Sequence, residues 1–398
     1  MRMPNSEDMS QEQMNVYLTA PMTGSILVSG PPGTGKTVIA FQRAKAAFDM
    51  SQKVKVIMYN KVLKFFTENV AEDDFDVRTF HSWVYVWWKS ACYPQQPPVE
   101  SDDKWQHDWP KMWSVLGTRQ ERGTLKLNRL NWGHLIIDEG QDFAPKMYTF
   151  FENVRKIFFE DTAEREKPAI TVFADENQRL TERNSTIDQI RGALGISRDD
   201  GKRNYYLTKN YRNTRQVAEL AAHFYAGLPT GIPKLPDKKG EMPKLVFGNS
   251  LTKFVDYIVR YIKSHDNEEI GVIVQSDRMR RQIHEALQSR LTGFGRIKLQ
   301  TYSYKENLGL EFDQPGTVTL LNKQSCKGLE FDSVFLPELQ QITMTPSEID
   351  TFKMEMYVMI ARARKNVYLM INNSGSGTPA IMDYLPVNNS SRLEIQDV

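Results

Sequence analysis

The chain has 398 residues, 40% hydrophobic and 25% charged, with a formal net charge of +2; this excludes a disordered or collagen-like chain and, at ~150 residues per domain, leaves room for two or three domains. No run approaches the ~18 apolar residues of a spanning helix, and the first ten residues are acidic rather than basic-then-apolar, so neither membrane nor secretory signal is expected and a soluble cytoplasmic protein is. Cys92 and Cys326 are the only cysteines, too few for a disulfide framework and without zinc-site spacing. A charge near zero is still compatible with a nucleic-acid groove, because positive potential can be confined to one face.

In chain order, 11–19 reads as a short helix and 24–30 as a buried strand closing on glycine. Apolar, β-branched runs at 54–58, 134–137, 169–173, 270–274, 318–321, 334–336 and 367–371 read as further strands. Helical periodicity covers 37–47, 214–225, 254–265 and 277–291. Strands alternating with helices predict two parallel sheets with crossover helices. The polar stretch 197–203 predicts the boundary, giving lobes of 1–202 and 203–398; 227–240 reads as a Gly/Pro/Lys loop and the tail from Pro386 as frayed. All seven Trp residues lie between 83 and 132. This segment reads as a small Trp-rich helical insertion in the first lobe, either an aromatic-cored lobe or a stacking surface for bases or a partner protein.

The sharpest pattern is Gly30-Pro31-Pro32-Gly33-Thr34-Gly35-Lys36-Thr37, a phosphate loop between a strand and a helix. Gly30, Gly33, Thr34 and Gly35 let backbone N–H groups turn onto phosphates, Lys36 reaches the outer phosphates, and the Thr37 hydroxyl ligates Mg²⁺ at a positive helix terminus. Downstream, the apolar run Leu135-Ile136-Ile137 ends in Asp138-Glu139, supplying a carboxylate for the metal and a candidate base for the attacking water. A P-loop nucleoside triphosphatase is the expectation from these residues alone.

Beyond them, the chain resembles the UvrD/Rep-type superfamily 1 DNA helicases through a series of short blocks in order. Met9 to Gln13 is similar to the Q motif, which implies Gln13 at the adenine edge. Asp138 to Asp142 completes an Asp-Glu-Gly-Gln-Asp block. Thr79-Phe80-His81-Ser82 matches a block on the nucleic-acid path, and Tyr59-Asn60-Lys61 stands where that family has another. Ala174 to Gln178 is similar to motif III, implying Gln178 as sensor. Asn210 to Thr214 implies Tyr211 on adenine and Arg212 on the γ-phosphate. Gln324 to Phe331 implies Gln324 and Ser325 at nucleic acid and Glu330 at the nucleotide. Tyr357 to Ala363 implies Arg362 as a second arginine finger.

The resemblance therefore implies two RecA-like lobes with ATP and Mg²⁺ in the cleft between them, and a single-stranded DNA translocase or helicase of 3′→5′ polarity, with RNA as the other substrate. Lys61, Lys64, Arg278, Arg280, Arg281, Arg296 and Lys298 are candidate strand-path cations, a solvated helix face being the alternative for 278–281. The gaps between motifs are short for the family, as in a minimal form with reduced inserted subdomains. A nucleic-acid-stimulated ATPase without autonomous unwinding, serving a nuclease or a repair or phage-defence assembly through the Trp-rich segment, is the rival expectation.

Overall fold

The computed structural model describes residues 9–58, 75–176, 184–228, 230–302, 310–312, 314–375, 377–387 and 392–398. They divide into two compact units: 9–31 with 35–208, and 32–34 with the remainder from Lys209. No helix among the described residues is long and apolar enough to cross a membrane.

In the first unit β1 (Ser25–Ser29), β2 (Val54–Met58), β3 (Asp76–Thr79), β4 (His134–Ile137), β5 (Ala169–Ala174) and β6 (Asn204–Tyr206) form a parallel sheet in the order β3-β2-β4-β5-β1-β6. The central strands are buried along their whole length, which is why they read as unbroken apolar runs rather than alternating ones. Because β6 pairs with β1, Leu27 standing opposite Asn204, the first unit runs to Thr208. The boundary expected at residue 202 falls short by one strand; three residues with a mixed Asn-Tyr-Tyr pattern gave too little periodicity to register.

The Trp-rich segment does not make a lobe with its own core. After α1 (Gln11–Thr19) and α2 (Lys36–Asp49), the segment's main helices, α3 (Phe80–Cys92) and α4 (Trp109–Glu121), carry Trp83, Trp87, Trp88 and Trp109 into one buried cluster with Trp132 and the sheet residues Leu27, Ile57, Leu135 and Ile137. Trp83 and Trp87 stack at 5.4 Å. The indole N–H groups of Trp87 and Trp132 donate to the carbonyls of Leu130 and Ala169, each at 3.0 Å, so these rings are buried without stranding a donor. Apolar area is what draws these helices onto the sheet. Trp105 alone of the seven is strongly exposed.

The second unit holds β7 (Lys244–Gly248), β8 (Ile270–Val274), β9 (Lys298–Thr301), β10 (Thr317–Asn322), β11 (Phe331–Leu336), β12 (Ala363–Asn372) and β13 (Glu394–Asp397), all parallel, in the order β13-β7-β12-β11-β8-β10-β9. Helices 251–264 and 277–291 begin at Ser250 and Ser276, whose hydroxyls accept the Lys253 and Met279 N–H groups, the usual remedy for orphan donors at a helix start. Phe254, Ile258, Ile262, Ile283 and Leu287 from these helices pack on Val246, Val272, Val274 and Phe335 of the sheet. The tail expected to fray instead supplies β13, with Ile395 level with Leu245; backbone pairing on an edge strand needs little side-chain signal. Two parallel-sheet α/β units fit the two-lobed RecA-like fold class expected above.

Candidate functional site

In a parallel sheet every strand points the same way, so residues that follow the strands collect at one end. At that end of the first sheet stand the phosphate loop after β1, Asp138 after β4 and Asp175 after β5. Gly33 and Gly35 have φ of 80° and 85°, a left-handed backbone that glycine adopts without strain. A Cβ on Gly35 would lie 2.1 Å from Gln13 Nε2, so any side chain there would displace the Gln13 amide. Gln13 is held in turn by a capping box, its side chain accepting from Ser10 N at 2.8 Å.

Lys36 opens the helix 36–49. Its Nζ donates to the Gly30 carbonyl at 2.7 Å and the Pro31 carbonyl at 3.1 Å, and lies 3.6 Å from Asp175 Oδ2. Thr37 Oγ1 donates to Asp138 Oδ2 at 2.7 Å. The Glu139 N–H donates to Asp138 Oδ1 at 3.0 Å, and Glu139 itself sits at φ 53°, an uncommon conformation for a side-chain-bearing residue. Gln141 closes the arrangement: its Nε2 donates to Glu139 Oε2 at 2.6 Å while its Oε1 accepts from the Asp175 N–H at 2.8 Å. A continuous chain of contacts thus runs from Thr37 through Asp138, Glu139, Gln141 and Asp175 back to Lys36.

This cluster carries three carboxylates against one lysine, all buried. Burial first, and the neighbouring Glu139 second, push the Asp138 carboxyl from 3.8 up to about 6, with the Thr37 hydrogen bond and Lys36 opposing. Excess buried negative charge beside a hydroxyl suits a divalent cation. Thr37 and Asp138 are the residues that would hold Mg²⁺. Gln141 and Asp175 were visible in the sequence only as members of motif blocks; their structural role needed the third dimension.

In the second unit, Asn210 Oδ1 accepts the N–H groups of Arg212 at 2.9 Å and Asn213 at 3.1 Å. Asn213 Nδ2 reaches the Ala361 carbonyl at 3.2 Å and also that of Ala363. The Arg212 guanidinium pairs with Glu330 and lies 3.5 Å from the Ala361 carbonyl. Arg362 is wholly buried, its Nε donating to Val358 O at 2.9 Å and Nη1 to Leu329 O at 3.4 Å. Three blocks far apart in sequence therefore bring Arg212, Glu330 and Arg362 together. Burial works against the Glu330 charge, but Arg212 above all, with Arg364 and Arg362, holds the carboxyl below its usual range. Asn213 was missed by sequence reasoning; the signal was its place in the block.

Other expected residues are less integrated. Tyr211 is 45% exposed with Lys209 Nζ 5.7 Å from its ring centre. Thr79 ends β3 and precedes α3, and His81 lies in the first turn of α3. Gln324 and Ser325 follow β10, the Ser325 N–H donating to Asn322 Oδ1 at 3.0 Å. Tyr59, Asn60, Lys61, Lys64 and Gln178 lie outside the described residues. Of the second-unit cations, Arg280 is buried, Nε facing Asp277 at 3.4 Å, so the solvated-face reading of 278–281 fails at that position. Arg296 faces Asp266 at 3.4 Å, and Lys298 pairs with Glu311.

The class of protein comes from the family comparison, which makes this a helicase-like protein. The family model of the Schlafen group 3 DNA/RNA helicase domain matches residues 24–226, just over half of the chain, and the chain belongs to that family. The matching family is not UvrD/Rep, so the resemblance stated above holds at the coarser level of a helicase-like protein. Among solved structures, the chain is similar to the C-terminal domain of a possible DNA helicase from Lactobacillus plantarum WCFS1, with 21% identity over 46% of this chain and 98% of that one and a TM-score of 0.33. No curated protein matches the sequence.

Proposed function

We propose that the chain is a Mg²⁺-dependent ATPase that moves along single-stranded DNA in the 3′→5′ sense, with RNA as the alternative strand. The observation that carries this reading is the linkage of Thr37 to Asp138 and of Lys36 to the loop carbonyls and Asp175. Lys36 would bind the outer phosphates; Thr37 and Asp138 would hold the metal; Glu139, oriented by Gln141, would accept the proton of the attacking water. Mg²⁺ supplies charge neutralisation of the transferring phosphoryl group. Arg212 and Arg362 would add positive charge in the transition state, Gln178 would couple hydrolysis to the strand, and Gln13 and Tyr211 would hold adenine. Phosphoryl transfer needs chiefly positioning and charge stabilisation, and this set offers both.

The test is ATP turnover titrated with single-stranded DNA and RNA of defined length at two salt concentrations. Turnover stimulated by a strand, and weakened as salt rises, is expected; turnover absent in all conditions refutes the reading. A second reading, an ATPase without autonomous unwinding, is favoured by the packing of the Trp-rich helices into the first core, which leaves no separate inserted domain among the described residues between β3 and β4. Stimulated turnover with no separation of a tailed duplex would select it.

A further inference from the structure

A groove of about 960 Å³ opens in the first unit between the start of α3, the segment 100–109 and the segment 142–147. Its aromatic wall is built from Phe80, His81, Trp105, His107, Trp109 and Phe143. Phe80 and Phe143 meet at 4.8 Å, and His107 lies 5.4 Å from Trp109, so the floor is a packed, rigid surface. Trp105 differs from it in being 56% exposed, its ring held edge-on to His81 at 6.5 Å. Its backbone is fixed too, the N–H donating to Asp103 Oδ1 at 2.9 Å.

The fixed charges of the lining are Glu100, Asp103 and Asp142 against Lys146. Such a lining repels a phosphodiester but offers acceptors to the amino edge of a base. His107 stays neutral near pH 7, burial and then the adjacent His81 pushing it down to about 4, so the aromatic wall adds no cation to offset the carboxylates. Lys104, whose Nζ lies 5.7 Å from the Trp105 ring centre, and Lys146 at the rim are placed for flanking phosphates. The dimensions exceed one base, and the groove offers an exposed π-surface, carboxylate acceptors and the nearby cations Lys104 and Lys146.

We propose that this groove takes one unstacked nucleobase bearing an exocyclic amino group, stacked on Trp105 and read by the carboxylates of Glu100 and Asp103. The inference rests on the strand-binding function proposed above and assigns to it a base preference and residues that none of the sequence blocks contains. Cytosine, adenine and guanine each offer the carboxylates an exocyclic amino group; uracil and thymine carry carbonyls in its place and offer only the imino N3–H, so they bind more weakly.

The test is fluorescence anisotropy of 5′-labelled oligo-dC and oligo-dU twelve-mers, which differ at that edge only, with wild-type protein, Trp105→Ala, Trp105→Phe, Glu100→Gln and Asp103→Asn. Oligo-dC should bind several-fold tighter than oligo-dU. Trp105→Ala should weaken oligo-dC binding about tenfold, in line with the loss of one base stack, while Trp105→Phe retains most of it. Glu100→Gln with Asp103→Asn should bring the two oligonucleotides to equal affinity. Trp105 is exposed and these substitutions leave the core intact, which thermal unfolding checks. Equal binding of the two oligonucleotides by wild type, or an unaffected Trp105→Ala, overturns the inference and leaves the strand-binding reading standing. Wild type that binds neither oligonucleotide overturns both. An arginine-rich peptide bound in a Trp105-dependent manner while oligonucleotides bind independently of Trp105 would make the groove a protein-docking surface and likewise overturn the inference.

Discussion

The phosphate-loop cluster of the first unit and the arginine cluster of the second solve opposite electrostatic problems. Asp138, Glu139 and Asp175 outnumber Lys36, so the first is short of positive charge and raises a carboxyl pKa. In the second, Glu330 is surrounded by Arg212, Arg362 and Arg364, and its carboxyl pKa is lowered. Burial disfavours charge in both; what differs is which sign predominates. The first is acidic in balance and the second basic, and each is held partly by hydrogen bonds to backbone.

The strongest way to break that comparison is to remove the lone cation of the first cluster. Lys36→Ala should reduce ATP turnover by at least ~10²-fold while thermal unfolding stays cooperative, because the role proposed for this lysine is charge at the phosphates; turnover near the wild-type rate would show that the cradle does not act on ATP. Next in size, Arg212→Ala should lower kcat ~10²-fold with a smaller change in KM, the signature of a group acting in the transition state. Steady-state kinetics separate this from a KM effect, which would make Arg212 a binding residue only.

Acidity probes the first cluster specifically. Asp138 would ligand a metal only as the carboxylate, and its carboxyl is pushed up to about 6, so the Mg²⁺ concentration needed for half-maximal turnover should rise as pH falls below that value. The raised pKa also means that ionised Asp138 opposes folding: its contribution is favourable below 3.8 and is lost as pH rises through about 6. Asp138→Asn should therefore unfold at a higher temperature than wild type at pH 7 while losing metal-dependent activity, and equal melting temperatures would refute the burial argument. The smallest effect is expected from Gln141→Ala. Removing a wholly buried amide leaves the Glu139 carboxylate and the Asp175 N–H short of a partner, a cost of about 1–3 kcal/mol measurable by urea unfolding.

The Trp-rich segment shows where one-dimensional reading stops. Its seven rings announce an unusual patch, but the periodicity cannot say whether the partner of an apolar helix face is a small core of its own or the neighbouring sheet. The answer came from Trp83, Trp87 and Trp132 sharing a cluster with Leu135 and Ile137. Similarly, β6 and β13 are edge strands held by backbone pairing, which short polar sequences can satisfy without advertising it.

What the amino-acid order determined by itself was the alternation of buried strands with capped helices and the phosphate-loop motif, because both depend on local geometry: 2.0- and 3.6-residue periodicity and the φ freedom of glycine. What only tertiary structure decided was which distant groups meet. That Gln141 bridges Glu139 to Asp175, that Asn213 ties the Arg212 block to the start of β12, and that Trp105 is the exposed ring beside three carboxylates follow from strand order and register. These bring together residues tens or hundreds of positions apart, and no local pattern encodes that distance.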